Sequence, residues 1–486
     1  MNDVNSVHVP IMSRFFLALA VRIYRPSVLP GSGATDFPGL VIDNRRTTLD
    51  SLIFQGFSLL RSGLALIVVG TFSAVPAVSM EVSLSGFGTL GYSRSNQAFT
   101  YDRFISNSGT LRRDSVIGLQ VDANFGDGFA ATVQIKGAPS SIDDRKYQSS
   151  VAWAFLAYRP ANDWLIRVGR QRMPLYLHSA NFDVGVTYDF ARLPTEMYSI
   201  SPNNEIDGVS FTKSWTYKNS ETSLDGFWGQ TNADARLWSR DDALPIQRSG
   251  PIFRRLSVEG GGLVLSHKRS EGTYRFGYGS VIMRRRDGVP IPVTFPYVGT
   301  PFPGVGYYQV DDSLPGPGIV VVDRIRITSI ILGADIELSP SYRVVGEFAR
   351  TLVPATDLSI QSTRGYVSLL KRADKWTPYV TFAFLRSSSR PMSLYGNVNT
   401  STVPRFVPGA DQINVSQRAG ADQIFAFDQR SLAIGASYAL SPTSKIKAEL
   451  MRVRIGDVSS LVDALPGSDV RRAGINVISV SYSVVF

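Results

Sequence analysis

From Phe129 to Lys136 the side chains alternate strictly, with Phe129, Ala131, Val133 and Ile135 on one face of an extended chain and Thr132, Gln134 and Lys136 on the other. A period of two is the signature of a β-strand, whose successive side chains point to opposite faces. The preceding segment repeats the pattern, setting Ile117, Leu119, Val121 and Ala123 against Gly118, Gln120, Asp122 and Asn124, and Gly126-Asp127-Gly128 joins the two as a hairpin. Further strands are expected to begin near Val82, Val151, Trp164, Asp207, Thr222, Ser257, Thr273, Arg324, Arg343, Thr363, Trp376, Ser431, Lys445 and Ala473, which brings the expected total to sixteen. The fold class expected is all-β.

The connections separate into two kinds. Short ones fall at Gly126 to Gly128, Pro160 to Asp163, Tyr217 to Glu221, Ser270 to Gly272, Ser339 to Ser341, Ala373 to Lys375 and Ser441 to Ser444; long ones include 173–204, 287–323 and 388–430. Transmembrane antiparallel barrels show this asymmetry, with short turns on one side of the membrane and long loops on the other. Tyr158, Trp164, Trp215, Tyr217, Tyr342, Trp376 and Tyr438 all sit beside short turns, where an interfacial aromatic girdle belongs. No apolar run reaches the roughly twenty residues that a spanning helix needs, so a bilayer would have to be crossed by strands, and strands in lipid must close into a barrel.

Composition fits one apolar and one polar face: mean hydropathy is +0.01, with 42 Gly and 47 Phe plus Tyr. The absence of Cys excludes thiolate metal sites, thiol catalysis and disulfides. The formal charge is +10, and the first 79 residues hold six Arg against four Asp, so the remainder carries +8. A basic surface of this kind suits anionic solutes, lipid phosphates or nucleic acid alike.

The apolar run Gly63 to Val69, followed by small residues at Ala74, Ala77 and Ser79, reads as a secretory signal peptide over 59–79. Residues 1–58 then form a leader extension or reflect a misassigned start, and 80–486 form the barrel.

Several motifs carry no chemistry. Gly86-Phe87-Gly88-Thr89-Leu90-Gly91 matches a dinucleotide fingerprint, but it continues as an alternating strand where that fingerprint requires a helix. His8, His178 and His267 belong to no hydrolase or metal spacing, and Asp311-Asp312 lacks the spaced ligand series of a calcium loop. Arg284-Arg285-Arg286 suits lipopolysaccharide phosphates at an external rim better than nucleic acid. No catalytic residue, metal site or cofactor is expected.

The final strand alternates Ile478, Val480, Tyr482, Val484 and Phe486 with Ser479, Ser481 and Ser483. It resembles the C-terminal signal, carried by Tyr482 and Phe486, of proteins handed to the outer-membrane barrel assembly machinery. Together with the run RPANDWLIRVGRQRMPLYLHSANFDVGVTYDFARLP from Arg159 to Pro194, the architecture of residues 80–486 resembles the general porins of Gram-negative bacteria. The resemblance implies a sixteen-stranded homotrimer in the cell outer membrane, in contact with lipid and lipopolysaccharide, passing small hydrophilic solutes and ions by passive diffusion. It also implies that the third external loop, Met173 to Asn204, folds into the lumen as a constriction, with Asp183, Asp189 and Glu196 facing basic residues on the wall. The loop departs from the family's usual Pro-Glu-Phe-Gly-like tip, reading Leu193-Pro194-Thr195-Glu196.

On the wall, Trp164, Ile166 and Val168 form a lipid-facing set that turns Arg167 inward; Lys136, Arg275, Arg343, Glu347, Lys447 and Glu449 have inward parity in their own strands. Arg170 and Arg172, where the fifth strand enters the third loop, are placed to pair with its carboxylates. The basic excess points to a mild anion preference. A substrate-selective porin and a plugged structural or adhesive barrel are the competing readings, with an outer-membrane hydrolase and a soluble all-β binding protein further behind.

Overall fold

The computed structural model describes residues 80–200, 205–243 and 248–486. The expected leader extension over 1–58 and signal peptide over 59–79 lie outside the described residues. Sixteen strands close into one antiparallel barrel, each paired with its neighbours in sequence: β1 (Glu81–Ser95), β2 (Val116–Gly126), β3 (Phe129–Pro139), β4 (Tyr147–Ala161), β5 (Trp164–Arg172), β6 (Glu205–Tyr217), β7 (Ser220–Ser239), β8 (Gly250–Arg269), β9 (Gly272–Arg285), β10 (Ile325–Ser339), β11 (Tyr342–Leu352), β12 (Ser362–Lys371), β13 (Trp376–Ser387), β14 (Phe427–Ser441), β15 (Ser444–Ser459) and β16 (Gly474–Val485).

Closure is made by β1 against β16, with Leu90 opposite Tyr482 and Phe87 opposite Val485. The last residue continues the seam: Phe486 N donates to Gly86 O at 3.0 Å, and Phe486 O accepts from Gly86 N at 2.7 Å. A Cβ on Gly86 would lie 2.5 Å from the Phe486 ring, so this glycine serves close packing in a strand, which is where the dinucleotide-like run ends up.

The alternation read from the sequence becomes an outward apolar belt. Leu119, Phe129, Leu156, Val168, Phe276, Leu332, Phe348, Phe382, Ile434 and Ile478 are all exposed on the outer surface. A closed sheet leaves no edge for lipid to meet, and an apolar outer face is the one lipid favours. At the short-turn rim, Phe129 stacks on Tyr158 with centroids 4.4 Å apart and Trp376 packs on Tyr438 at 4.7 Å.

One stretch of wall is built from glycine. Gly169, Gly208, Gly229 and Gly260 are direct register partners across β5, β6, β7 and β8. A Cβ at each would approach a neighbouring strand's carbonyl oxygen to between 2.0 and 2.3 Å, so only glycine lets the backbones come this close.

Two of the long connections hold more structure than loops. Residues 286–324 contain two small antiparallel ladders, Ile291–Pro292 on Val321–Val322 and Tyr297–Gly299 on Gly306–Tyr308. Residues 388–426 contain α1 (Ser389–Thr400) and α2 (Ala410–Ala421). Phe295, Tyr307, Leu394, Val398 and Ile413 bury one another in a shared cluster above the strands. Each segment is too short to show an apolar period by itself and is ordered by the other.

Candidate functional site: the third loop and the lumen

The connection between β5 and β6 turns into the barrel and is fastened along the inner wall. Arg275 on β9 donates to the Tyr176 carbonyl at 2.5 Å, and Glu347 on β11 accepts from Leu177 N at 2.7 Å. The same carboxylate accepts from the hydroxyls of Tyr198 in the loop and Tyr366 on β12, the latter at 3.0 Å. Farther round, Tyr379 on β13 accepts from Ala191 N at 2.9 Å and donates to Glu449 on β15 at 2.9 Å. Lys447 on β15 donates to the carbonyls of Gly185 and Phe190, and its ammonium lies 4.1 Å from the Tyr188 ring centroid. Between these anchors Tyr176, Phe190, Leu193, Met197 and Tyr198 bury themselves on Ile331, Val345, Ala349, Leu370 and Ala383. Backbone hydrogen bonds and apolar contact on facing strands therefore hold the loop as part of the core.

The charged residues expected at the constriction divide into three groups. Asp183 meets Lys136 on β3 at 3.0 Å and also pairs with Arg172, while Lys136 reaches Glu205 at 3.1 Å. Asp189 accepts from Lys445 on β15 at 2.8 Å and from Ser437 at 2.8 Å, with Arg343 at 3.8 Å. Arg343 is itself held by Asp335 of the neighbouring strand, 2.6 Å away. Glu196 differs from the expectation, for among the described residues no basic group pairs with it: it is wholly buried and accepts from Gln429 Nε2 at 2.9 Å. Its place at the start of a four-residue helical turn, Thr195–Tyr198, carries it into the wall.

Arg170 also departs from the sequence reading. It makes two hydrogen bonds to Asp207, its register partner on β6, at 2.7 and 2.6 Å, and reaches no loop carboxylate. Arg172 does reach one, although strict alternation would group it with Val168; the glycine at 169, with φ 130°, lies between them. Arg167 lies with its guanidinium 5.6 Å from the Phe155 ring. Glu347, Lys447 and Glu449 have the inward direction expected, yet all three are buried beneath the loop.

The loop's own titratable groups are strongly perturbed. Burial would raise the Asp183 carboxyl, and Lys136 and Arg172 more than offset that and hold it below its ordinary value. Asp189 is likewise held down against burial by Lys445. Burial raises Glu196, which finds no cation to compensate. His178 is pushed down to about 4, first by burial among aromatic rings and then by the charge of Arg343.

Residues that the sequence reading did not single out complete the arrangement. Arg192 in the loop donates to Asp114 at 2.7 Å, to Ser93 and to Ser479, and Arg364 donates to the Tyr176 hydroxyl at 2.7 Å. They come from segments distant in sequence, and no local pattern marks them.

Between the loop and the strands lies a cavity of about 590 Å³. Among the described residues its lining carries eight cationic side chains against four carboxylates, Asp102, Asp114, Asp183 and Asp234. On the other side, the inner faces of β2, β3 and β7 present a hydrogen-bonded polar surface: Gln134 donates to Gln120, Gln120 and Thr132 to Asp122, and Thr212 on β6 to Asp225.

No family profile matches the sequence, and no curated protein is similar to it in sequence. Solved structures similar in fold include a loop L8 deletion mutant of OmpT, an outer membrane protein of Vibrio cholerae, at TM-score 0.45 and 11% identity, covering 84% of this chain and 100% of that one. They also include Salmonella typhi OmpF in complex with daunomycin, at TM-score 0.45 and 11% identity over 85% and 99% of the two chains. The anion-selective porin from Comamonas acidovorans gives 0.43 and 10% over 84% and 100%. With sixteen antiparallel strands closed on themselves, an apolar outer belt and the third long connection packed on the inner wall, this chain has the fold of a sixteen-stranded antiparallel β-barrel.

Proposed function

We propose that the barrel is a water-filled channel through which small hydrophilic solutes and ions diffuse passively. The observation that supports this reading is the third loop: it is fastened to the wall from β9 to β16 and meets β3 at Lys136, while Gln120, Asp122, Thr132, Thr212 and Asp225 on β2, β3, β6 and β7 stay partly exposed beside it. A polar path past a fixed constriction needs no chemical step. Fixed charges across a narrow aqueous gap set which solutes enter, since field lines are focused between low-dielectric walls.

The same reading assigns Lys136, Arg167, Arg172, Arg275 and Arg343 to the charge pattern of the constriction or to holding the loop, Asp183 and Asp189 to its acidic side, and Arg170 to the wall. The cationic excess of the cavity supports a preference for anions. Assembly as a homotrimer, insertion by the barrel assembly machinery through Tyr482 and Phe486, and contact with lipopolysaccharide belong to this proposal. No enzymatic activity forms part of it.

The test is single-channel recording in a planar bilayer, using the full-length chain expressed in a Gram-negative host and purified from its outer membrane, under a salt gradient. Stable current steps are expected, with a reversal potential of the sign that marks anion preference. Correctly folded protein that gives no steps overturns the channel reading and favours a plugged barrel.

A further inference from the structure

An aqueous lumen is expected to present polar side chains, yet part of this one is apolar. In the half of the barrel next to the long loops, inward positions of three adjacent strands form rows in direct register. Val258 on β8, Met283 on β9 and Ile325 on β10 make one row, and Val281 and Ile327 make the next. The third loop covers this wall only lower down, where Leu175 approaches Gly277 and Gly279 and Leu177 approaches Gly333. The rows above line the same cavity as Phe182 and Tyr188 of the loop. Apolar surface left in water forfeits about 25 cal/mol per Å², so such a wall favours any solute that covers it.

The row next outward carries charge. Leu256 stands opposite Arg285, and Arg254 follows opposite Ala235. Arg254 has no carboxylate within ion-pairing distance among the described residues, and its Nη2 donates to the side-chain oxygen of Gln423 beyond α2. All four carboxylates of the cavity are engaged: Asp102 by Arg113, Asp114 by Arg192, Asp183 by Lys136 and Arg172, and Asp234 by the Ser141 hydroxyl. A guanidinium without an acid, set at the end of an apolar strip, suits a ligand with a carboxylate at one end and an apolar body at the other.

We propose that this outer vestibule is a binding site for small carboxylates with a compact aromatic or branched apolar body, of about the size of benzoate. The inference rests on the channel reading for its physiological sense, since it names the solute class that the lumen would favour. The carboxylate meets Arg254, the body lies on Val258, Val281, Met283 and Ile327, and Arg285 beside Arg254 is already paired with Asp287. The cavity volume is within the range of about 300–1,000 Å³ usual for small-molecule sites. Acetate lacks the body, benzyl alcohol lacks the charge, and benzylammonium carries the wrong one.

The experiment uses the full-length protein in detergent and in planar bilayers. Benzoate titrated calorimetrically should bind at least tenfold more tightly than acetate, benzyl alcohol or benzylammonium, and should interrupt the open-channel current at concentrations where those three do not. Arg254→Gln and Met283→Gln, each checked for a heat-resistant folded barrel, should each weaken benzoate binding about tenfold, the loss of one charge-assisted hydrogen bond or of one apolar contact. Equal binding of benzoate and acetate overturns the proposal, as does undiminished binding in both variants. Current steps without benzoate binding sink this inference and leave the channel standing; benzoate binding without steps sinks the channel and leaves the site.

Discussion

The Arg192 guanidinium, from the third loop, meets the Asp114 carboxylate, from the connection between β1 and β2, at 2.7 Å in a buried pair that also engages Ser93 and Ser479. Two segments 78 residues apart are thereby fastened together beside the seam of β1 and β16. Removing one partner of a buried ion pair leaves the other charge unsolvated, at a cost of about 3–5 kcal/mol. Arg192→Ala and Asp114→Ala should each loosen the loop and raise current noise and mean conductance in single-channel records. The double variant should be less impaired than the two single effects added together; full additivity would show that the pair does not couple.

His178 gives the docked loop a pH dependence whose sign follows from its lowered value. Docked, it is neutral down to about pH 4; undocked, it takes a proton near its ordinary 6.5. Between those values the undocked state binds more protons, so docking weakens as pH falls from 6.5 towards 4. Conductance should become noisier over that window. His178→Phe, which keeps a ring against Tyr188 and Phe190, should remove the effect. Asp183 and Asp189 act separately, for their contribution is present above about 3.8 and is lost only as pH falls through their lowered values. A variant as pH-sensitive as the parent would rule out His178 as the cause.

Gly208 lies where a Cβ would stand 2.0 Å from the Trp228 carbonyl oxygen. Backbone on a neighbouring strand cannot retreat without breaking the ladder, so Gly208→Ala should cost about 3 kcal/mol or more. The expected readout is loss of the heat-resistant band of folded barrel on electrophoresis. Gly299→Ala, in a loop with nothing within 4 Å, should migrate as the parent does.

Deleting Phe486 removes both hydrogen bonds to Gly86 and the ring that covers it. Outer-membrane yield should fall severalfold through the loss of the seam contacts and, on the proposed function, of the terminal assembly signal. Phe486→Tyr, retaining ring and backbone, should restore most of it, which separates the aromatic requirement from simple truncation.

The strands were legible because lipid and water impose opposite demands on alternate side chains, and that demand is written residue by residue. Phe129 to Lys136 and Ile478 to Phe486 could be assigned to faces without knowing any partner, and the turns at Gly126 to Gly128 and Ser270 to Gly272 separated them. Where a segment is apolar on both faces, as at Val281-Ile282-Met283, alternation is silent, and the apolar patch inside the lumen escaped the reading.

By itself, then, the sequence determined the wall: strand number, the sidedness of short and long connections, the outward belt, and the position of the third loop. Tertiary structure alone decided what that loop touches. Asp183 found Lys136 and Asp189 found Lys445, whereas Glu196 was carried to Gln429 and Arg170 to Asp207. The physical reason is range. A strand's face is fixed by its own backbone geometry, but an ion pair across a lumen depends on how sixteen registers add up around a closed sheet, and no local pattern carries that sum.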